Sequence, residues 1–410
     1  MVINKNKRFY IYLFCIFTLF ISYLLGENSS GGSKIDNIIT LQFVENFKYG
    51  FSNGLNYFIS TQQIHSPIFY FLKAKFLLIS NEEIFSLTYL LLSSIIPLFF
   101  YKTLKKKFIN SENKNILFAI SLLIFLSPYF RSSAVWATNE NLALLFVTIS
   151  LYFFISSFSK LKKKSYYYFI SILFLIIASY IRQNYSLLFI FYIIKSFEIL
   201  ERKTIVYIIL ISLLLSFPAL VYVKKIYEFS YNLSTLTLRP DYLSNSIIYL
   251  SIISFYLLPF FWSEKNKNKY KNLILNRKKI LLFFSLIVIS IFFYSDIERF
   301  GLGGGAILKL SKVIGFNFLF LISAILGILL INYYYENLSG LLTIILLFLS
   351  YPFSILYQKY FDPIFILFFL ILSGSKILQD NLEKNRFNIK VLYFYFGAFL
   401  FAANYYYLNN

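Results

Sequence analysis

Residues 204–223 read Thr204-Ile205-Val206-Tyr207-Ile208-Ile209-Leu210-Ile211-Ser212-Leu213-Leu214-Leu215-Ser216-Phe217-Pro218-Ala219-Leu220-Val221-Tyr222-Val223, without a single charge. Arg202 and Lys203 stand before this run and Lys224 and Lys225 after it. As a helix, about 20 residues rise about 30 Å, the thickness of a bilayer's hydrocarbon core. Only a helix or a closed barrel satisfies its own backbone polar groups in that medium, and an unbroken apolar run of this length belongs to the helix. Working outward, similar runs recur at 9–25, 84–101, 115–130, 141–157, 166–181, 184–200, 245–262, 280–294, 317–332, 339–356, 363–378 and 390–406. The whole chain of 410 residues is 59% hydrophobic and only 14% charged, with mean hydropathy +0.68. Soluble domains carry roughly 25% charged residues, so a soluble domain, a disordered chain and a disulfide scaffold are excluded. The expected fold is an all-α polytopic membrane protein of about 11–13 transmembrane helices. Residues 1–410 are expected to form one transmembrane domain with no separate soluble domain.

The net charge of +21 comes from 39 Lys and Arg against 18 Asp and Glu. In a soluble protein such an excess points to nucleic acid; in a membrane protein the first question is which side each charge occupies. Lys5, Lys7 and Arg8 precede the first run and set the N-terminus inside. That run has the basic head and apolar stretch of a signal peptide, but Gly26-Glu27-Asn28 is a poor cleavage site, so a retained anchor is favoured. Alternating sides from there puts 25 basic and 7 acidic residues inside, against 13 and 11 outside, with Lys195 within a span. The excess is therefore the positive-inside signature of a multi-pass protein, expected in a bacterial inner membrane with a cytoplasmic N-terminus, and no nucleic-acid partner is expected. The outer face holds most of the acids, Asp36, Glu140, Asp241 and Asp362 among them, and four of the eight arginines: Arg131, Arg182, Arg239 and Arg299.

Cys15 is the only cysteine and His65 the only histidine. Intrachain disulfides, a Cys- or His-rich metal centre and a zinc-protease motif are excluded. Tyr and Phe number 36 and 51, an AT-rich-genome bias that makes any single aromatic a weak signal.

The longest non-spanning stretch is the first outer loop, 26–83. Ile38, Ile39, Leu41, Phe43, Val44 and Phe47 have helical apolar spacing, followed by Leu55-Tyr57-Phe58-Ile59. These predict amphipathic helices lying in the interface. Pro67 suits the first turn of a third helix. That helix is apolar but short and holds Lys73 and Lys75, so it is expected to be half-embedded.

Several stretches fall in an informative order. Asp36 sits just beyond the first run, in Ser30-Gly31-Gly32-Ser33-Lys34-Ile35-Asp36-Asn37. His65-Ser66-Pro67-Ile68-Phe69-Tyr70 follows, and the second run ends in Tyr101-Lys102-Thr103-Leu104-Lys105-Lys106-Lys107. Ser127-Pro128-Tyr129-Phe130-Arg131 leads to Asn139-Glu140-Asn141. Ser179-Tyr180-Ile181-Arg182-Gln183-Asn184 and Tyr357-Gln358-Lys359-Tyr360-Phe361-Asp362-Pro363 come later. This order resembles the GT-C integral-membrane glycosyltransferases. The likeness is to protein mannosyltransferases and aminoarabinose transferases, with some to lipid-linked-oligosaccharide glucosyltransferases. Those families often carry two adjacent acids where this chain has Asp36-Asn37, a second Pro where it has Ser66, and Arg where it has Lys359.

The resemblance implies a GT-C-like fold. It also implies transfer of a sugar from a polyprenyl-phosphate-sugar donor to a lipid-linked glycan, lipid or protein acceptor on the non-cytoplasmic face. A carboxylate must accept the acceptor hydroxyl's proton, and cations must meet the departing phosphate. By position Asp36 is the catalytic base. Arg182 and Arg239 suit phosphate clamps, because guanidinium offers a planar fork to phosphate oxygens. Glu140 and His65 suit orienting the acceptor or supporting Asp36, and Arg131, Lys359 and Tyr360 complete the substrate-binding set. No metal ligands cluster in the sequence, and no cofactor is certain, although two carboxylates from different loops leave a divalent cation open.

Asp241 in Arg239-Pro240-Asp241 is an alternative base or plain turn chemistry. Gly301-Leu302-Gly303-Gly304-Gly305-Ala306 lacks the Gly-Lys-Ser/Thr ending of a phosphate loop; it reads as a flexible hinge, or as a phosphate contact with Lys309 or Lys312. Two other functions compete. A lipid-linked-sugar flippase or transporter is expected to show repeats and charges at midplane, and neither is visible. An O-antigen polymerase or ligase places its main outer loop late, whereas here it lies between the first two runs.

Overall fold

The structure, a computed structural model, describes residues 5–61, 65–111, 114–158, 164–231, 242–265, 303–316, 318–351 and 356–408. Among them every regular element is helical, apart from one isolated bridge between Glu264 and Phe387. Seven helices are long and apolar enough to cross a membrane: Asn6–Leu24, Glu82–Lys107, Asn139–Ser157, Lys164–Ile181, Arg202–Tyr222, Asn245–Ser263 and Ile389–Leu408. The all-helical polytopic architecture therefore holds.

Several of the expected runs are interrupted or shortened among the described residues, and for local reasons. The run at 115–130 breaks at Pro128, which has no N–H to continue a helix. The Ser127 hydroxyl accepts from the Phe130 N–H at 3.0 Å and starts a new helix, bent 63° from the old one. The run at 363–378 turns by 91° after Leu372. Gly374 there takes φ 63°, and the Ser375 hydroxyl caps the next helix at the Leu378 N–H, 3.2 Å away. Counting each bent pair as one span gives nine among the described residues. The runs at 317–332 and 339–356 become shorter apolar helices, Leu319–Tyr334 and Leu338–Leu349. The run at 280–294 lies outside the described residues.

The run at 184–200 departs furthest from expectation. It is a 3-10 turn, Gln183–Leu187, followed by a helix of only nine residues, Leu188–Ser196. Its path nevertheless returns along the preceding helix, Lys164–Ile181. Tyr192 reaches the far end of that helix, where the Tyr168 hydroxyl donates to its carbonyl at 2.7 Å and its own hydroxyl lies 3.0 Å from Ser150 Oγ. Of the 3-10 turn itself only Tyr185 is buried, and Ser186 is exposed.

The chain divides into two compact units. The first is Met1–Lys107, Ile120–Leu236 and Gly397–Asn410; the second is Phe108–Ala119 and Thr237–Phe396. In chain order α1 (Lys5–Leu24) is followed by α2 (Ser33–Lys48), α3 (Phe51–Ser60) and α4 (Ile68–Leu77). Then come α5 (Glu82–Ser94) and α6 (Ile96–Lys107), which make one continuous span. The broken run supplies α7 (Lys114–Leu122) and α8 (Pro128–Trp136). The hairpin of α9 (Asn139–Ser157) and α10 (Lys164–Ile181) carries the most extensive helix–helix packing. The short α11 (Leu188–Ser196) and the long α12 (Arg202–Tyr231) complete the series. One end of the first unit is lysine-rich. There Arg8 donates to the Tyr101 hydroxyl at 2.8 Å, and the Lys106 ammonium lies over the Tyr152 ring, 5.9 Å from its centroid.

The opposite end is built by the loop helices. The predicted amphipathic pair and the Pro67 helix all form, with Pro67 at the N-cap of α4. They pack through rings: Phe43 and Tyr70 each lie 4.9 Å from Phe58, and Phe43 lies 5.6 Å from Tyr70. A Cβ on Gly54 would overlap the Phe47 ring, so α3 is seated directly on α2.

In the second unit the helix Tyr242–Ser263 packs along Phe318–Tyr334. A Cβ at Gly327 would overlap the Leu250 carbonyl oxygen, so the two backbones touch. Gly327→Ala is expected to push these helices apart and cost about 1–3 kcal/mol. Gly397, with nothing within 4 Å of its added Cβ, is the control. Thermal unfolding in detergent should show a lowered Tm for Gly327→Ala and none for Gly397→Ala.

Candidate functional site

The approach to α2 is held by small residues. The Ser29 hydroxyl donates to the Pro128 carbonyl at 2.9 Å, and the Ser30 N–H donates to Ser132 Oγ at 2.8 Å. Gly31 takes φ 77°, and a Cβ there would overlap the Tyr407 ring, so only glycine fits. This loop delivers α2 with Asp36 in its first turn, half-buried.

The second contribution follows from hairpin geometry. The α9 and α10 helices are antiparallel neighbours joined by residues 158–163, so the start of α9 meets the end of α10 at the opposite end. Glu140 occupies the first turn of α9, and Arg182 follows the last residue of α10. An acid at a helix start and a cation at a helix end both complement the helix dipoles. Arg182 Nη1 lies 2.8 Å from Glu140 Oε1, with the two side chains 7% and 25% exposed.

Tyr70, on α4, joins these groups. Its hydroxyl lies near Thr40 and in the field of Glu140, Arg182 and Asp36. Burial pushes the phenol well above the usual tyrosine range; Glu140 and Asp36 push the same way, and Arg182 opposes them. Tyr70 therefore keeps its proton. Tyr222, on α12, donates to the His65 carbonyl at 2.9 Å and lies within electrostatic reach of Tyr70. The Ser66 hydroxyl donates to the Tyr180 carbonyl, which ties the same strip of chain to α10.

Asp36, Glu140 and Arg182 thus come together with Tyr70 at the loop end of the first unit, and His65 borders them through its main chain. Arg131 has a different place. Its Nε lies 3.0 and 3.1 Å from the two carboxylate oxygens of Glu27, Nη1 donates to the Phe125 carbonyl at 3.3 Å, and Nη2 donates to the Thr18 carbonyl and to Ser22. Both side chains of the pair are 9% exposed, so the Arg131 fork is taken up in joining α8 to the end of α1. Lys359 and Tyr360 belong to the second unit. Tyr360 stacks on Tyr351 at 4.6 Å, and the Lys359 ammonium lies over the Tyr357 ring at 5.7 Å. Arg239 and its neighbour Asp241 lie outside the described residues.

The glycine run is described from Gly303 onward. Gly303, Gly304 and Gly305 all take positive φ, 111°, 78° and 81°. The Gly304 N–H donates to the Leu356 carbonyl at 2.9 Å, and Gln358 Oε1 accepts from the Ala306 N–H at 2.6 Å. The turn is pinned, and a side-chain amide already occupies an early N–H of the following helix, Gly305–Ile314.

Tyr70, one of 36 tyrosines, ends the His65–Tyr70 stretch, but the sequence gives it no role. Nor does it reveal a buried chain of polar groups beneath α2. The Lys73 ammonium is fully buried and donates to Asn37 Oδ1 at 2.7 Å; Asn37 Nδ2 donates to Glu82 Oε1 at 3.0 Å. Burial pushes Lys73 down to about 8, against a smaller upward pull from Glu82. The one visible signal is a lysine inside an otherwise apolar helix.

Chemically, the cluster offers a half-buried carboxylate, a guanidinium held by a second carboxylate, and a protonated phenol. Such a set can take a proton from one reactant and place cationic and O–H donors on an anion beside it. Among the described residues no group of three or more His, Cys, Asp or Glu side chains is placed to hold a metal ion.

Removing Arg131 tests its structural assignment. Arg131→Met leaves Glu27 buried without its partner and is expected to cost about 3–5 kcal/mol, read as a lowered Tm; adding Glu27→Gln should recover part of the loss. For Lys73, the folded state holds the pKa near 8 against an ordinary 10.5. Between those values the unfolded chain binds more protons than the folded one, so Lys73 makes stability rise with pH across that window. Melting curves from pH 7 to 10 should show this rise in the wild type and not in Lys73→Met.

Comparison of the chain with family models, with curated proteins and with solved structures finds no match.

Proposed function

We propose that the protein is a membrane glycosyltransferase of the GT-C type. It moves a sugar from a polyprenyl-phosphate-sugar donor to a hydroxyl of a lipid-linked glycan, lipid or protein acceptor. The observation that carries this reading is the gathering of Asp36, Tyr70, Glu140 and Arg182 from four parts of the chain at one end of the first unit. Its setting supports the choice of substrate. The loop helices α2–α4 leave Ile35, Ile38, Ile39 and Leu72 exposed beside these charges, as interfacial helices do. A donor with a long isoprenoid tail needs such a boundary, because its tail stays in lipid while its phosphate must meet cations.

In this mechanism Asp36 accepts the proton of the acceptor hydroxyl as that oxygen attacks the anomeric carbon. The new glycosidic C–O bond forms as the bond from the anomeric carbon to the phosphate oxygen breaks, with inversion. Arg182 and the Tyr70 O–H receive the charge that grows on the leaving phosphate. Glu140 holds the guanidinium in place. On this reading the lysine-rich end is cytoplasmic, the N-terminus with it, and the site faces the other side of a bacterial inner membrane.

The two bends, of 63° and 91°, favour a second reading, a lipid-linked-sugar flippase, because transporters use discontinuous helices. One reconstitution separates the two. Purified protein in proteoliposomes is given a radiolabelled polyprenyl-phosphate-sugar and a lipid-linked acceptor. Transfer of label to the acceptor is expected, with Asp36→Asn lowering its rate by about 10²–10⁴-fold while leaving expression and Tm unchanged. Undiminished transfer in Asp36→Asn removes Asp36 from the base role. Movement of intact donor between leaflets with no transfer replaces the enzyme by the flippase.

A further inference from the structure

Asp36 and Asn37 are neighbours on α2 with opposite surroundings. Asp36 is half-buried among the groups of the candidate site, whereas Asn37 is buried, its amide held between α4 and α5. On the α4 side Lys73 gives Asn37 Oδ1 a 2.7 Å hydrogen bond; on the α5 side Glu82 receives one from Nδ2 at 3.0 Å. The Phe85 ring closes the pocket, 5.1 Å from the ammonium. Consecutive residues of a helix differ by about 100° around its axis. Fixing the azimuth of Asn37 therefore fixes the direction in which Asp36 projects.

An ammonium sealed from water is costly, and the field of Glu82 offsets only part of that cost. An apolar residue of similar length would pack α4 against α5 without the cost. What the apolar residue would lack is a directional bond to α2. We infer that Lys73 is a positioning residue, holding α2 through Asn37 at the rotation that presents Asp36 to Tyr70 and Arg182. The inference deepens the glycosyltransferase reading and rests on it for the role of Asp36, while the positional claim stands on geometry alone.

The test has two independent parts on the full-length protein. The first reads position. With Cys15→Ser as background, residue 36 is made the only thiol by Asp36→Cys, and its modification rate by a water-soluble maleimide is followed in detergent. Adding Lys73→Met or Asn37→Leu is expected to change that rate severalfold, and to leave a Glu83→Cys control on α5 unaffected. Equal rates at residue 36 with and without Lys73→Met overturn the proposal.

The second part reads catalysis in the proteoliposome assay. Lys73→Met is expected to lower kcat by roughly a hundredfold, the scale of a misplaced catalytic group, with donor KM unchanged because Arg182 is untouched. Asn37→Leu should match it, and the double variant should be no worse than either single one. Additive losses, or a rise in KM alone, overturn the positioning role. If Lys73→Met proves too unstable to purify, Asn37→Leu carries both measurements with Lys73 in place. A changed labelling rate alongside absent sugar transfer in the wild type leaves the positional claim standing and removes the glycosyltransferase.

Discussion

In an apolar medium a backbone N–H or C=O without a partner costs several kcal/mol, and the chain has too few polar side chains to supply partners from elsewhere. Every regular element described is accordingly a helix, and the helix interruptions bring substitute partners. Ser127 and Ser375 cap the helices that begin after the two bends. The short segment after Arg182 buries Tyr185, Leu188, Phe191 and Tyr192 and is tied to the α9–α10 hairpin by tyrosine hydroxyls. Serine and tyrosine do for this fold what water does for a soluble one.

The same constraint sorts the charges. Ionisable groups collect at helix ends, where dipoles favour them and solvent is near. Two arginines, each close to a helix end, finish in different company. Arg131 is closed on Glu27 with every nitrogen of its fork engaged, and it acts as a strut between the ends of two helices. Arg182 is held by Glu140, which remains 25% exposed, in company with a phenol and a second acid.

The long first loop is a packed module of its own. Its aromatic core of Phe43, Phe47, Phe58 and Tyr70 supplies burial, and the chain of Lys73, Asn37 and Glu82 supplies direction. Hydrophobic contact alone leaves a helix free to roll by a fraction of a turn, because it is non-directional. Hydrogen bonds to a buried amide do not. That division of labour lets a loop segment hold a carboxylate in one orientation.

The amino-acid sequence alone determined the helical class, the amphipathic loop helices and the placement of charge at span ends. Each depends on periodicity and on the run of apolar residues, which are local properties. It also picked out Asp36, Glu140 and Arg182, because acids and arginines are rare enough in this chain to stand out. It did not show the interruptions at 115–130, 184–200 and 363–378, where a proline, a 3-10 turn and a Gly-Ser pair break runs of the right composition. Tyr70 is one of many tyrosines, and Lys73 stood out as a charge in an apolar helix without any sign of its partner Asn37. Only the tertiary structure decided their surroundings, and the different surroundings of Arg131 and Arg182. Hydrogen-bond partners such as Glu27, Asn37 and Tyr222 come from segments up to 157 positions away, and which of them meet is set by how helices pack.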